Sequence, residues 1–363
     1  MRTLIRNSAF FLIAFWVVAL ALDAFLQKKV IFNDPASNAS KLQRLINSTD
    51  PAEIPVFGSS KGRSAFIPDS LNPGVYNYSM ERSNFDVVEF LLETELAKPR
   101  KSPILLEFNH RYFIHAPHFT IDAATFVPNL GLPGVRKYLE DNDRFEVRFM
   151  IPGLRYFGAS WQYIRKGFDE DGSSSRQSVK GGMFTERASP PRLLASQVEA
   201  RERSIAMRER LEHAKDDVKE VISAEDRHRL ERLNAYLLFS APKDRVARFG
   251  ELVASRPDRQ FLVAYTPQHW SEVEGIANFP EIKALFDSLE QQHPNLHFYD
   301  YSHMQLPDSA FKNSSHLNNT GARAFCKAFK RDAAEYLAPA LSSSGKVRPL
   351  QPEKSTPAPQ PAS

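Results

Sequence analysis

The sequence predicts an α/β protein in which helices cover both faces of a mainly parallel sheet, giving a three-layer α/β/α domain. Short apolar runs recur along the chain, and segments with helical spacing separate them. The runs that predict strands lie at 54–57, 75–80, 104–108, 261–265 and 296–299. The segments that predict helices lie at 86–97, 280–291 and 321–337.

Residues that end regular structure bound each predicted strand. The first strand stops at Gly58, and the second follows a loop at 68–74 that is rich in turn formers. The third ends at Asn109, the fourth is closed by Pro267, and the fifth ends at Asp300. The order strand, strand, helix, strand indicates parallel pairing with crossover helices.

The middle of the chain, at about 116–240, has a different composition from the flanking thirds. It is aromatic and irregular up to residue 183, and then strongly charged with helical spacing from 193 to 239. We expect an insertion into an α/β domain that spans 54–341. Two interpretations stay open: a solvated helical insertion, or a cap or partner-binding arm over the site.

The N-terminal segment 1–30 predicts a membrane anchor. An apolar run at 9–22 lies between two arginines and two lysines, with Asp23 at its end. A cleaved signal peptide or a buried helix would have a similar composition. An uncleaved anchor places the chain in the cell membrane as a single-pass protein, with its domain extracytoplasmic, in the periplasm. Residues 31–53 then form a polar connector, and 342–363 a disordered tail.

Composition excludes several kinds of function. The net charge is +4, and acidic residues nearly match basic ones, so no nucleic-acid partner is expected. The single Cys326 excludes an internal disulfide framework and a cysteine-based metal site. His110, His115 and His118 lie close together, but their spacing fits no closed zinc pattern. We expect neither a metal nor a cofactor.

Polar residues that could carry out acyl transfer follow the predicted strands. Ligands of open α/β sheets bind at the carboxyl ends of the strands, where Ser60, Asn109 and His316 fall. A serine becomes nucleophilic when a histidine takes its proton, and the resulting oxyanion needs hydrogen-bond donors. The Ser60 N–H and the Asn109 amide could be those donors. Ser60 could equally be a helix cap.

Two motifs at opposite ends of the chain resemble those of the SGNH/GDSL hydrolase superfamily. They are Gly58-Ser59-Ser60, followed by Phe66-Ile-Pro-Asp69 and Tyr76-Asn77, and Phe311-x-Asn-x-x-His316-Leu-Asn-x-x-Gly321-Ala322. The chain is most similar to the membrane-anchored branch, which includes the D-alanyl transfer protein of lipoteichoic acid and the alginate O-acetylation proteins. The resemblance implies a flavodoxin-like sheet, a nucleophilic Ser60 and a catalytic His316.

The chain departs from this family's pattern at two places. Asn313 stands where the family has an aspartate, three residues before the histidine. Asn313 can orient the imidazole, the site can act as a Ser–His dyad, or Asp308 or Asp300 can take the acid's role. No glycine occurs at 79–83, where the family has an oxyanion glycine.

The resemblance implies an envelope acyltransferase or esterase that acts on a cell-surface polysaccharide. Its partners would be an acylated glycan or an acyl-donor protein, together with a membrane-bound O-acyltransferase. The alternative is a catalytically inactive scaffold or glycan-binding subunit, which both departures favour. Lys61 and Arg63 follow Ser60 and could meet an anionic glycan or a phosphate.

Overall fold

The computed structural model describes residues 1–32, 34–81, 83–113, 123–152, 154–156, 176–186, 188, 191–216 and 223–338. The C-terminal tail at 342–363 therefore lies outside the described residues, as do His115 and His118.

The described residues form nine strands. They are β1 Ile54–Phe57, β2 Val75–Asn77, β3 Ile104–Phe108, β4 Arg176–Val179, β5 Gly182–Thr185, β6 Phe261–Tyr265, β7 Leu296–Asp300, β8 Phe311–Asn313 and β9 His316–Leu317.

Fourteen α-helices are described. They are α1 Arg2–Leu26, α2 Asn38–Asn47, α3 Ser60–Ala65, α4 Pro68–Leu71, α5 Phe85–Leu96, α6 Ala123–Phe126, α7 Val135–Asp141, α8 Pro191–Asp216, α9 Ala224–Leu237, α10 Lys243–Ala254, α11 Trp270–Glu274, α12 Pro280–Gln292, α13 Asn319–Asp332 and α14 Ala334–Leu337. A π-helical turn, Gln27–Ile31, continues α1.

The main sheet has five parallel strands in the order β2-β1-β3-β6-β7. The predicted α/β class with a mainly parallel sheet is therefore confirmed. Counted along the chain, these five strands have the doubly wound order 2-1-3-4-5. In this order the ligand crevice lies at the topological switch point, outside the carboxyl ends of the first and third strands. The residues that follow β1 and β3 leave the sheet at this crevice.

Helices cover both faces of the sheet, an arrangement compatible with a three-layer α/β/α fold. One hydrophobic cluster joins inward residues of the strands, such as Phe108 and Val263, to α2, α5, α10 and α12. A second cluster joins Val56, Leu105 and Leu262 to α3, α4, α13 and α14. Adjacent strand residues face opposite clusters, as the alternation of side chains in a strand requires.

The second strand is shorter than the sequence predicts. It ends at Asn77, whose side-chain oxygen accepts the N–H of Ser79, so the chain leaves regular strand geometry there. Tyr78 and Met80 still donate backbone hydrogen bonds to Val56 and Gly58 at the edge of β1.

Residues 31–53, predicted as a polar connector, contain the helix α2. Its N-cap Ser37 accepts the N–H of Ser40, and Leu42 and Leu45 are fully buried against the sheet's helical layer. The segment between α1 and β1 is therefore packed onto the domain.

α1 belongs to the one helix of the described residues that is long and apolar enough to cross a membrane, Thr3–Lys29. Most of its large apolar side chains are exposed, from Leu4 to Leu20. Length and composition alone make this helix compatible with a single-pass anchor.

Candidate active site

Ser60 lies at the turn between β1 and α3, and a glycine makes that turn possible. Gly58 has a φ of 155°, and a Cβ at this position would lie 2.5 Å from Cβ of Glu107 on β3. The next residue, Ser59, caps α3 by accepting the N–H of Lys61 at 3.2 Å. Since Ser59 is the cap, Ser60 is the first residue of the helix and its hydroxyl is left for other partners.

His316 meets Ser60 across 256 residues of sequence. It begins β9 in the short hairpin β8–β9, and its Nε2 lies 2.9 Å from Oγ of Ser60. This distance is that of a hydrogen bond between a nucleophile and its base. Two of the residues predicted from the sequence are thus in direct contact.

Asn313 holds the other nitrogen of the imidazole. Its Oδ1 lies 2.9 Å from Nδ1 of His316 and 3.1 Å from the backbone nitrogen of Ser315. Because a backbone N–H can only donate, the side-chain oxygen of Asn313 must face this position. Nδ1 of His316 therefore carries the proton, and the lone pair of Nε2 faces the hydroxyl of Ser60.

The surroundings of His316 favour a neutral imidazole. Burial, followed by the positive charges of Lys61 and Lys312, lowers the pKa of His316 from 6.5 to about 4. At neutral pH the ring is consequently unprotonated and can accept a proton from Ser60.

Asp308 and Asp300, the alternative orienting acids, lie against other groups. An oxygen of Asp308 is 3.4 Å from Nε2 of His269, and Asp300 accepts the N–H of Ser302 at 2.9 Å. The structure therefore places Asn313, rather than either aspartate, at His316.

A buried carboxylate supports the turn that carries Ser60. Glu107 is fully buried; its Oε2 accepts the N–H of Ser59 at 2.7 Å, and its Oε1 accepts an amide hydrogen of Asn109 at 2.9 Å. The predicted oxyanion donor Asn109 thus has one hydrogen engaged by Glu107. The role of Asn109 as an oxyanion donor stays a prediction.

A cleft of about 60 Å³ lies beside Ser60. The domain and the segment inserted between β3 and β6 both line it. The lining residues are Ser60, Arg63, Ser64, Glu81, Met183, Phe184, Thr185, Lys312, His316 and Leu317. Three of them belong to β5, so the inserted segment contributes a wall of the cleft.

Lys61 and Arg63, predicted to meet an anionic ligand, both have partners within the protein. Nζ of Lys61 donates to Oε1 of Gln268 at 2.7 Å, and burial followed by the charge of Arg111 lowers the pKa of Lys61 to about 8. Arg63 donates to Glu81 at 2.8 Å and to the carbonyl oxygen of Ala36 at 2.9 Å.

The long helix α8 of the inserted segment contacts the hairpin that carries His316. Oε1 of Gln197 accepts the N–H of Ser314 at 3.0 Å, and the hydroxyl of Ser314 donates to Glu272 at 2.6 Å. The guanidinium of Arg201, also on α8, donates to the carbonyl oxygen of Glu272 at 3.0 Å. Helix α8 thereby helps to fix the turn between Asn313 and His316.

Within the described part of the chain, no group of three or more histidine, cysteine, aspartate or glutamate side chains has a metal-binding arrangement. His110 is buried with Nδ1 at 3.5 Å from the hydroxyl of Tyr265.

Sequence reasoning missed Glu107 and Gln197. A signal existed for Glu107, because a charged residue inside an otherwise apolar buried strand needs a partner. No local signal marks Gln197, which lies on a helix rich in polar residues, 117 positions from Ser314.

No protein-family model matches the chain, and no curated protein matches it significantly.

Proposed function

We propose that this chain is an SGNH-like serine acyltransferase or esterase of the cell envelope, which acts on acyl groups of a cell-surface polysaccharide. The single observation that supports this proposal most is the relay from Ser60 Oγ through Nε2 and Nδ1 of His316 to Oδ1 of Asn313, with 2.9 Å at both contacts.

The relay suits a two-step transfer. Oγ of Ser60 attacks the acyl carbonyl carbon while its proton moves to Nε2 of His316. The tetrahedral intermediate collapses, the bond to the leaving oxygen breaks, and His316 returns the proton to that oxygen. A sugar hydroxyl or water then attacks the acyl-serine in the same way, giving up its proton to His316 and releasing Ser60.

Asn313 acts here by orientation alone. Its carbonyl oxygen keeps the proton on Nδ1, which leaves Nε2 free to act as the base. An amide brings no negative charge to stabilise the imidazolium, so this relay is weaker than one with an aspartate.

The chain between α1 and the residues that contact the cleft is short, which supports action at a membrane. Ala36, whose carbonyl oxygen binds Arg63 of the cleft, follows the end of the π-helical turn by five residues. Five residues span at most roughly 18 Å. If α1 is a single-pass anchor, Ser60 works close to the bilayer, where a membrane-bound O-acyltransferase could deliver the acyl group to the periplasmic domain.

Trapping an acyl-enzyme tests the proposal. The full chain in detergent is mixed with p-nitrophenyl acetate, quenched in acid and digested. Mass spectrometry is expected to find one acetyl group on the peptide that contains Ser60. The group should be absent in Ser60→Ala and present in Ser288→Ala, an exposed serine on α12.

The second candidate function is a non-catalytic scaffold or glycan-binding subunit. The neutral Asn313 and the engagement of Asn109 by Glu107 favour it. This candidate predicts glycan binding with no acyl-enzyme, and that binding should survive Ser60→Ala.

A further inference from the structure

Outside Met1 and α1, four large apolar side chains of the described residues are exposed. They are Val147 at 74%, Met150 at 54%, Trp270 at 52% and Leu193 at 45%. Two of the four belong to a single 3-10 turn, Val147–Met150, which we name the 147–150 turn. Adjacent exposed apolar residues mark an interaction surface more often than scattered ones do.

The 147–150 turn is fixed to the C-terminal end of α1. Phe149, between the two exposed residues, is buried in a cluster with Leu26 and Ile31. Just beyond the turn, Nε of Arg155 lies 2.9 Å from a carboxylate oxygen of Asp23, which neutralises the one acidic residue of the helix. The positions of Val147 and Met150 along the axis of α1 are therefore fixed.

The part of α1 that the rest of the protein leaves uncovered on all sides is shorter than the hydrocarbon core of a bilayer. The stretch from Leu4 to Leu20 contains 17 residues, which span about 25 Å at 1.5 Å per residue. The hydrocarbon core is about 30 Å thick. From Ala19 onwards the protein already covers one side of the helix, since Ala19, Asp23 and Leu26 are buried. The hydrocarbon boundary must then reach the level at which the domain packs on α1.

Basic side chains follow directly at the height expected for lipid headgroups. Lys28 and Lys29 are exposed in the π-helical turn, whereas Arg148 is half-buried over the ring of Phe149 and pairs with Glu146. Basic residues beside an apolar surface are typical of a membrane–water boundary.

We propose that the 147–150 turn rests in the bilayer that α1 crosses, with Val147 and Met150 inserted beside the helix and the lysines among the headgroups. This contact rests on the proposed anchor role of α1 and adds a second point of attachment. A helix alone leaves a domain free to rotate and tilt, whereas two points hold the cleft at one height above the membrane.

Lipid quenching of single fluorophores tests this contact on the full chain. Cysteine is introduced at Met150, at Ala14 in α1, or at Ser288 on α12, and labelled with an environment-sensitive dye. The native Cys326 is buried, so the unsubstituted chain serves as the labelling blank. Each protein is reconstituted in phosphatidylcholine–phosphatidylglycerol vesicles whose acyl chains are brominated either near the headgroup or near the terminal methyl.

The expected result is loss of emission at position 150 with shallow bromines, loss at position 14 with deep bromines, and no loss at position 288. Ser288 lies beside β7, at the opposite edge of the sheet from β2. Quenching at 14 without quenching at 150 would overturn the contact but keep the anchor. No quenching at 14 would overturn both, and equal quenching at 150 and 288 would show non-specific adsorption instead.

Discussion

At the scale of single residues, Asn313 decides how the candidate site works. Its side-chain oxygen accepts the N–H of Ser315, so it faces Nδ1 of His316 and fixes the tautomer that a base requires. In the same position an aspartate would add a charge. The acid of a usual triad orients the histidine and also provides a negative charge. Asn313 orients His316 without providing that charge.

The low pKa of His316 gives a prediction for pH dependence. The neutral ring is the active base, and a pKa below 6.5 lets the neutral form persist as the pH falls. The rate of phosphonate labelling at Ser60 should thus stay constant from neutral pH to ~5 and fall with a midpoint near 4. Tryptophan fluorescence at each pH controls for unfolding, and a midpoint near the ordinary value of a histidine would contradict the account.

Asn313→Asp tests the missing charge. A carboxylate at the position of Oδ1 stabilises the imidazolium, so the pKa of His316 should rise by about one unit or more, worth about 1.4 kcal/mol per unit. The labelling rate at neutral pH should increase about tenfold, and the acid midpoint should move upward. Asn142→Asp, an exposed control at the C-cap of α7, should change neither quantity. If Ser60 is labelled more slowly in Asn313→Asp than in the native chain, the missing charge does not limit the labelling rate.

At the scale of elements, the inserted helix α8 braces the hairpin that carries His316. Gln197 accepts the N–H of Ser314, which lies between Asn313 and His316. Losing one such hydrogen bond costs about 1 kcal/mol, so Gln197→Ala should slow labelling of Ser60 about fivefold.

Two comparisons separate this effect from general destabilisation. The midpoint of urea unfolding should fall only slightly in Gln197→Ala, because one hydrogen bond of a half-buried side chain is a small part of the total stability. Glu202→Ala, an exposed change on the same helix, should leave the labelling rate as it is. Loss of rate in both variants, or in neither, would contradict the bracing role.

Some elements of the fold can be predicted from the sequence alone, and others cannot. The five parallel strands and the positions of Ser60 and His316 after strands could be predicted, because apolar runs and turn formers are local signals, whereas the place of Asn313 followed from the family resemblance. The hairpins β4–β5 and β8–β9 and the helix α10 were not predicted, since their pairing or packing depends on distant partners. Gln197 could not be found for the same reason, as its role exists only once α8 lies beside the His316 hairpin.

At the scale of the whole molecule, a network of buried ion pairs and the candidate site lie at opposite ends of the sheet. At the end where the strands begin, Glu95 of α5 is fully buried with Arg259 at 3.1 Å and Arg100 at 3.5 Å. Arg100 also pairs with the buried Glu53 at 2.7 Å. These buried charges join the segments that precede β1, β3 and β6.

Glu95→Ala should therefore destabilise the molecule strongly, because it removes the carboxylate that pairs with the buried guanidinium of Arg259. Breaking one side of a buried ion pair costs about 3–5 kcal/mol. Urea unfolding of the full chain in detergent measures the loss. Glu93→Ala, which removes a partly exposed carboxylate of the same helix, should cost less than about 1 kcal/mol, and equal losses would contradict the network's importance.

The most direct measurement of the central claim is labelling of the full chain with a fluorophosphonate, followed by mapping of the adduct by mass spectrometry. The account predicts an adduct on Ser60 that is lost in Ser60→Ala and in His316→Ala. It should persist in Ser288→Ala and in His228→Ala, where an exposed histidine is removed. An adduct on another serine, or a folded chain that takes up no label, would contradict a nucleophilic Ser60 activated by His316.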